Sequence, residues 1–543
     1  MGNKNFKLTK LALALGLTVS LAGCFSDNDN DVTVTPPDPD PGTVTVPSPD
    51  TPAALSSYVS VSVTDSATGN VVDNATVTFF ENGAASTNVT DLDGADIASQ
   101  TSTDGAFAFK TKDGVTSLTL SVSAADYLEG SAVVDLSGDA SAVNVAVDLV
   151  SKANLAVASQ TDLATADGKL AAALSVEAEA TNGGAKLDIP TTVTLQDADG
   201  NPISGTVSVE VATANLTAES GKASAASIIP AGLNAGNTTN VLKPAGIITV
   251  NISAGDTAVK TLSEAVTLTT NFPETYTKAD NTGLAQNDAF DVYAYDETKA
   301  SWSKLDSQAV VAAKSGTVFP ASFETTHFSS FVPVETVTGC SEEVSFAFTG
   351  DAVPASGLNM KIVSSVLDET KIVKSASGVL YAQGTAGAAG ITSSATVDIQ
   401  VSDANGNVWG TDTNVQLCNS SATQADIEIA LNAPVTYVDQ DFSLTYTCSN
   451  TDQPDTQLEF TGALVRYNQE GKAPLIAAET NGTYALTGLV SGASYEVSVI
   501  PVGVDVGDAS LTVPAFTAAA GEAVSFNVAR SNCETRTVTG SGS

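Results

Sequence analysis

The chain has 543 residues, length enough for about three to five domains, with 61 Asp and Glu against 22 Lys and Arg and a formal net charge of −39. A surface this negative repels the phosphates of nucleic acids and anionic lipid headgroups, which argues against both as partners, and it draws divalent cations only weakly. A single histidine rules out a histidine-built metal centre, and neither a G-x-S-x-G elbow nor a glycine-rich phosphate loop is present, so most enzyme mechanisms lack their residues.

The chain begins with a basic stretch (Lys4, Lys7, Lys10) and an apolar run from Leu11 to Ser20. This order marks residues 1–23 as a secretory signal, too short to span a bilayer as a mature helix. The run ends in Leu21-Ala22-Gly23-Cys24, which resembles a bacterial lipobox. The resemblance implies cleavage before Cys24, palmitate or another acyl lipid on Cys24, and a membrane partner reached through that lipid. Phe25 in place of Asp implies sorting to the outer membrane, on its periplasmic or its cell-surface side. More than one acyl chain is needed for stable anchoring. Residues 24–56 are rich in Asp, Pro and Thr and read as a disordered stalk, about 90 Å long if fully extended.

From residue 57 onward the pattern is all-β. Val59, Val61 and Val63 alternate with polar residues, Ala67–Asn70 turns the chain, and Ala75, Val77 and Phe79 form the next inward face. Asp104-Gly105 leads into Phe107 and Phe109, followed by Leu118, Leu120 and Val122, then Val143, Val145, Val147 and Leu149. Period-2 runs bounded by turns about ten residues apart predict a β-sandwich over 57–150. Asp65-Ser-Ala-Thr-Gly-Asn70, Val72-Asp-Asn-Ala-Thr-Val77, Thr103-Asp-Gly105 and Ala124-Ala-Asp-Tyr127 give this unit a resemblance to the carboxypeptidase regulatory-like (transthyretin-type) family. That resemblance implies a non-catalytic accessory or adhesive module.

Residues 151–336 form a longer β unit. Strands are predicted around Leu187–Ile189, Val193–Leu195, Val207–Val209, Ile247–Ile252 and Val266–Leu268, then Phe290–Tyr295, a turn into Trp302, and a last strand over Phe323–Phe331. Pro244-Ala-Gly246, the Tyr295…Trp302 hairpin and Thr326-His-Phe-Ser329 resemble the domain shared by zonula occludens proteins, netrin receptors and ankyrins. Residues 337–432 are a third β unit. Residues 433–537 resemble a fibronectin type III module through Thr483–Leu489 and Ser494–Val499, with a second transthyretin-type fold as the alternative and a tail at 538–543. Tyr495 stands where a tyrosine-corner hydroxyl bonds back to upstream backbone.

Besides Cys24 the cysteines are Cys340, Cys418, Cys448 and Cys533, an even number in an exported chain, which predicts two disulfides among three pairings. The sequential pairing places one bridge in each of the last two units and closes loops of roughly eighty residues. No histidine or second cysteine lies at metal-ligand spacing near them.

Two further patterns bear on chemistry. In His327-Phe328-Ser329, the resemblance to self-cleaving relatives implies that Ser329 Oγ attacks the Phe328 carbonyl while His327 handles the proton of the departing amine. Asp91–Asp96, Asp197–Asn201 and Asp403–Asn407 are Asp-rich turns at which calcium held weakly is the alternative to ordinary hairpin turns; none completes a twelve-residue calcium loop. The expected protein is therefore a cofactor-free, non-catalytic outer-membrane lipoprotein, a rod of four sandwiches on a stalk that binds, adheres or spaces. Its ligand would be a protein or a glycan. Self-cleavage between Phe328 and Ser329 and carbohydrate binding as an accessory protein are the competing readings.

Overall fold

Alternating apolar and polar residues become strand after strand, because a period of two puts every apolar side chain on one sheet face. The computed structural model describes residues 43–47, 58–102, 104–137, 142–216, 222–237, 239–255, 257–418, 427–480, 482–503 and 511–539. The signal sequence, Cys24, most of the stalk and the last four residues lie outside them. Thr43–Pro47, inside the expected disordered stalk, is instead a strand paired with Thr535–Thr539 in a sheet of its own. The Thr-Val-Thr-Val alternation there is the local cause, and the partner strand is nearly five hundred residues away, so the sequence around the stalk does not reveal it.

In the first sandwich Tyr58–Asp65 pairs antiparallel with Ala106–Thr111 and parallel with Ala142–Leu149, Val61 facing Phe107 and Val63 facing Val147. The opposing sheet is built on Thr76–Glu81, Ser117–Ser123 and Gly130–Asp135. Val77, Phe79, Phe107, Phe109, Leu118 and Leu120 fill the space between, and Phe79 meets Phe109 edge to face at 4.8 Å. The turn before Phe107 needs glycine. Gly105 has φ +66°, and a Cβ there would lie 3.1 Å from the Val63 carbonyl.

The third and fourth units repeat this plan. Val344–Gly350 pairs parallel with Ile427–Leu431 and antiparallel with Ser377–Tyr381. Tyr437–Cys448 pairs parallel with Ala523–Arg530 and antiparallel with Thr483–Val490. In each, the unit's first strand lies beside its last. An immunoglobulin-type strand order places the first and last strands in opposite sheets. In 433–537, where a fibronectin-like module or a second transthyretin-type fold is expected, the first strand likewise lies beside the last. The Tyr495 expectation stands: the Val490 N–H donates to its hydroxyl at 2.9 Å. Both bridges follow the sequential pairing, Cys340–Cys418 with Cα atoms 5.7 Å apart and Cys448–Cys533 at 5.8 Å.

The second unit is one fourteen-stranded sheet. It runs from Ala156–Ala166 through Gly205–Thr213, Ile248–Ala254, Ser330–Thr338, Ala289–Asp296, Ser301–Val311, Val318–His327 and Thr261–Pro273 to Gly183–Ile189 and Leu174–Ala180. It curls on itself, so Val207 and Val209 from one end share a core with Leu187 and Leu268 from the other. The single strand expected over Phe323–Phe331 is two. Val318–His327 pairs with Thr261–Pro273, whereas Ser330–Thr338 pairs with Ala289–Asp296 and Asn240–Pro244. Phe328 and Ser329 carry the chain between these neighbours. Unbroken alternation hides that corner, because the choice of partner strand is made elsewhere in the chain.

Within Val46–Arg536 the sandwiches are not strung end to end, which overturns the rod. The first one touches each of the others. Against the fourth, Leu92 and Ala108 pack with Leu464 and Val502, the Val71 N–H donates to the Gly471 carbonyl at 3.0 Å, and Arg466 donates to the Ala106 carbonyl at 3.4 Å. Against the third, Asp148 accepts from Thr370 Oγ1 at 2.9 Å and lies 3.8 Å from Lys361. Against the second, Phe80 packs on Tyr295, Ala300 and Trp302.

Candidate functional site

His327, Phe328 and Ser329 sit at the strand corner, but their side chains part company. Ser329, 2 % exposed, donates its hydroxyl to the Tyr295 carbonyl, and its own carbonyl accepts from the Val250 N–H at 3.0 Å. Phe328 is buried in the core of the second unit. The His327 ring turns toward Phe331, centroids 5.4 Å apart, with Nδ1 3.3 Å from Thr325 Oγ1. Burial holds its pKa below the ordinary imidazole value, against the opposing pull of Asp296 and Glu297. The serine that the self-cleavage chemistry needs as nucleophile therefore donates its hydroxyl to the Tyr295 main-chain carbonyl in this geometry, and the His327 ring bonds to Thr325 instead.

Next to that corner lies a cleft between the first sandwich and the second unit. Its pocket, about 60 Å³, has a mixed lining: Leu128, Glu129 and Ser131 of the first sandwich and Ile228, Pro230, Asn251, Tyr295, Glu297 and Ser330 of the second unit, among others. A second pocket of about 190 Å³ adjoins it, sharing Asn251 and Glu297 and bordered by Ile252, Ala258, Val259 and Phe328. The Tyr295–Trp302 pair closes a hairpin, with rings 5.2 Å apart, and Asp296 holds its turn by accepting from the Thr298 N–H at 3.0 Å. Trp302 Nε1 donates to the Pro230 carbonyl at 3.1 Å.

Tyr295 is 4 % exposed, and the Ser131 hydroxyl of the first sandwich lies beside its own. Burial first, then the charge of Glu129, pushes its pKa well above the usual phenol value. Glu129 lines the cleft and is exposed as a residue. Desolvation of its carboxyl nevertheless raises its pKa, with Glu297 adding to the rise while the Ser121 hydroxyl and Lys260 oppose it. Lys260 is ion-paired with Glu297. In the sequence Tyr295 stands out through its strand and its hairpin with Trp302. Glu129, Lys260 and Glu297 come from separate elements and carry no shared motif.

The three Asp-rich turns adopt one geometry. The Asp91 carboxylate accepts from the Asp93 and Ala95 N–H groups, Asp197 from Asp199 and Asn201, and Asp403 from Asn405 and Asn407, at 2.8–3.0 Å. Gly94, Gly200 and Gly406 follow with positive φ. These are Asx-stabilised hairpin turns in which the leading carboxylate already serves the backbone. Among the described residues no group of three or more His, Cys, Asp or Glu is placed to hold a metal ion. Trp409 is buried against Tyr437, donating to its hydroxyl at 3.0 Å, and Trp302 is half-buried against Tyr295. No helix among the described residues is long and apolar enough to cross a membrane.

No family model matches the chain, and no curated protein matches it. Among solved structures it is similar to the minor pilin GBS52 of Streptococcus agalactiae, at 12% identity over 36% of this chain and 99% of that one, TM-score 0.17. It is also similar to the major pilin subunit BcpA of Bacillus cereus, at 10% identity over 88% and 99%, TM-score 0.14. Two B repeat units of the collagen binding protein of Staphylococcus aureus match at 10% identity over 90% and 100%, TM-score 0.12. Superposition this loose carries no argument. The strand pairing itself makes the chain an all-β protein of tandem sandwiches.

Proposed function

We propose that this chain is a non-catalytic, lipid-anchored envelope protein of the outer membrane that presents a rigid binding surface. The observation that supports it best is the joining of the sandwiches. The first unit is held to the other three by apolar packing, main-chain hydrogen bonds and buried polar contacts, so loops of separate domains keep fixed relative positions. Fixed loops on a stiff scaffold suit recognition, since less ordering entropy opposes binding. Two disulfides suit an oxidising compartment. Spacing, which asks for reach, loses its support with the rod.

The test is fractionation of cells making the full chain or Cys24→Ala, with mass spectrometry of the N-terminal peptide. The expected result is an acylated Cys24 peptide in the outer-membrane fraction and loss of membrane association in the variant. A retained leader, or an unmodified Cys24 thiol, overturns the reading.

A further inference from the structure

We propose that the junction between the first sandwich and the third unit is a proton-operated clamp: when Asp368 takes up one proton, Lys361 passes wholly to Asp148 and the two units are held more tightly. The geometry is one cation between two anions that belong to different units. Lys361 Nζ lies 3.5 Å from Asp368 Oδ1, on the neighbouring strand of its own sheet, and 3.8 Å from Asp148 Oδ2 of the first sandwich. Both separations exceed those of a close charge-assisted bond, so the ammonium is shared. Asp148 accepts besides from the Thr64 hydroxyl of its own sandwich at 2.5 Å and from the Thr370 hydroxyl of the third unit at 2.9 Å. The Asp368 side chain is 13 % exposed, against 26 % for Asp148.

The other charges nearby are engaged elsewhere. Glu369 and Lys371, on the opposite face of the Asp368–Val373 strand, pair with each other at 2.8 Å. Asp398, on the Lys361 face one strand over, is exposed and accepts from the Asn414 N–H at 2.9 Å. Asp65, on the strand beside Asp148, caps its own turn by accepting from the Thr68 N–H. The Ala226–Ile228 turn of the second unit, packed against Asp368–Val373, carries no charge. One lysine and two carboxylates thus leave a net negative charge at a partly desolvated joint. Burial raises the Asp368 pKa, with Lys361 opposing and Asp148 adding to the rise. The stability tied to protonated Asp368 is therefore complete below the unfolded value near 3.8 and lost as pH rises through the folded one. A proton there removes the repulsion of two carboxylates across the junction and leaves a neutral Lys361–Asp148 pair that spans it.

The test is native-state hydrogen exchange of the purified full chain in detergent, read by mass spectrometry over Ala142–Leu149 and Asp368–Val373, the strands that meet at the junction. Protection is taken relative to the intrinsic exchange rate at each pH. From pH 7 to pH 4.5 the parent should gain about fivefold in protection. Asp368→Asn, a neutral copy of the protonated form, should already show that gain at pH 7 and add little on acidification. Glu177→Gln, the same loss of charge at an exposed position, should behave as the parent. Lys361→Met, which leaves two carboxylates without their cation, should lose protection at pH 7 and gain more than the parent at pH 4.5. Asp368→Asn protected no better than the parent at pH 7, Glu177→Gln matching Asp368→Asn, or no larger gain in Lys361→Met overturns the proposal.

Discussion

Arg466 tests whether the first and fourth sandwiches are joined as described. It is 3 % exposed, donates to the Ala106 carbonyl at 3.4 Å and lies 3.8 Å from Asp104. Its Nε has no partner among the described residues, and desolvation lowers its pKa. Two opposing effects meet in a substitution. The methylene stem contributes about 0.8 kcal/mol per buried CH₂, about 1.6 kcal/mol for the two, Cγ and Cδ, that alanine lacks. The guanidinium head gains little, because burying a charge costs several kcal/mol and its carboxylate partner is half exposed. Removing the head leaves Asp104 solvated and strands only the Ala106 carbonyl, at about 1 kcal/mol or somewhat more.

Arg466→Ala, which loses stem and head, should therefore destabilise by about 2–3 kcal/mol. Arg466→Met, which keeps an apolar stem, should stay within about 1 kcal/mol of the parent. Urea unfolding gives these differences. Native-state hydrogen exchange at the Val71 amide, whose N–H donates to Gly471 across the same junction, reports the junction itself. Val71 protection should fall in the alanine variant and hold in the methionine variant. Unchanged Val71 exchange in Arg466→Ala, or a methionine variant as damaged as the alanine one, would refute the reasoning.

Three other outcomes are expected. Replacing both Cys448 and Cys533 by alanine frees a loop of 85 residues, and chain entropy puts the loss at about 4–5 kcal/mol, measured by urea unfolding of the variant beside the parent. On a denaturing gel the purified chain should run as one band, and Ser329→Ala should leave the pattern unchanged, because the Ser329 hydroxyl is held by Tyr295; a doublet that Ser329→Ala abolishes sinks this view. Glu129→Gln should raise the melting temperature at pH 7. The fold raises the Glu129 pKa, so the stability associated with its protonated form is present below the unfolded value near 4.5 and lost as pH rises through the folded one. Glutamine mimics the protonated form, so its advantage over the parent should fade below about pH 4.5. An advantage that persists unchanged at pH 3.5 contradicts this assignment.

Much of the local structure was legible because strand alternation is a short-range pattern. Val59, Val61 and Val63, the Phe107 and Phe109 pair, the Tyr295–Trp302 hairpin and the Tyr495 corner all fall where residues a few places apart announce them. The Asp-Gly and Asn-Gly turns are equally local, and their carboxylates bond within five residues. The disulfide pairing followed from placing one bridge in each unit.

What the chain's own order left undecided is where each strand finds its partners. The corner at Phe328–Ser329 exists because His327 and Ser330 end and begin strands with different neighbours, a decision made by residues 240–296. The parallel pairing of Tyr437–Cys448 with Ala523–Arg530 sets the first strand of the fourth unit beside its last, and no side-chain pattern within either strand states it. The junctions of the first sandwich join residues as far apart as Asn70 and Lys472, and the cleft at Tyr295 exists only because those junctions form. Alternation tells a strand which face to bury. Only the packed fold, through long-range backbone pairing and the burial of apolar surface between sheets, tells it against whom.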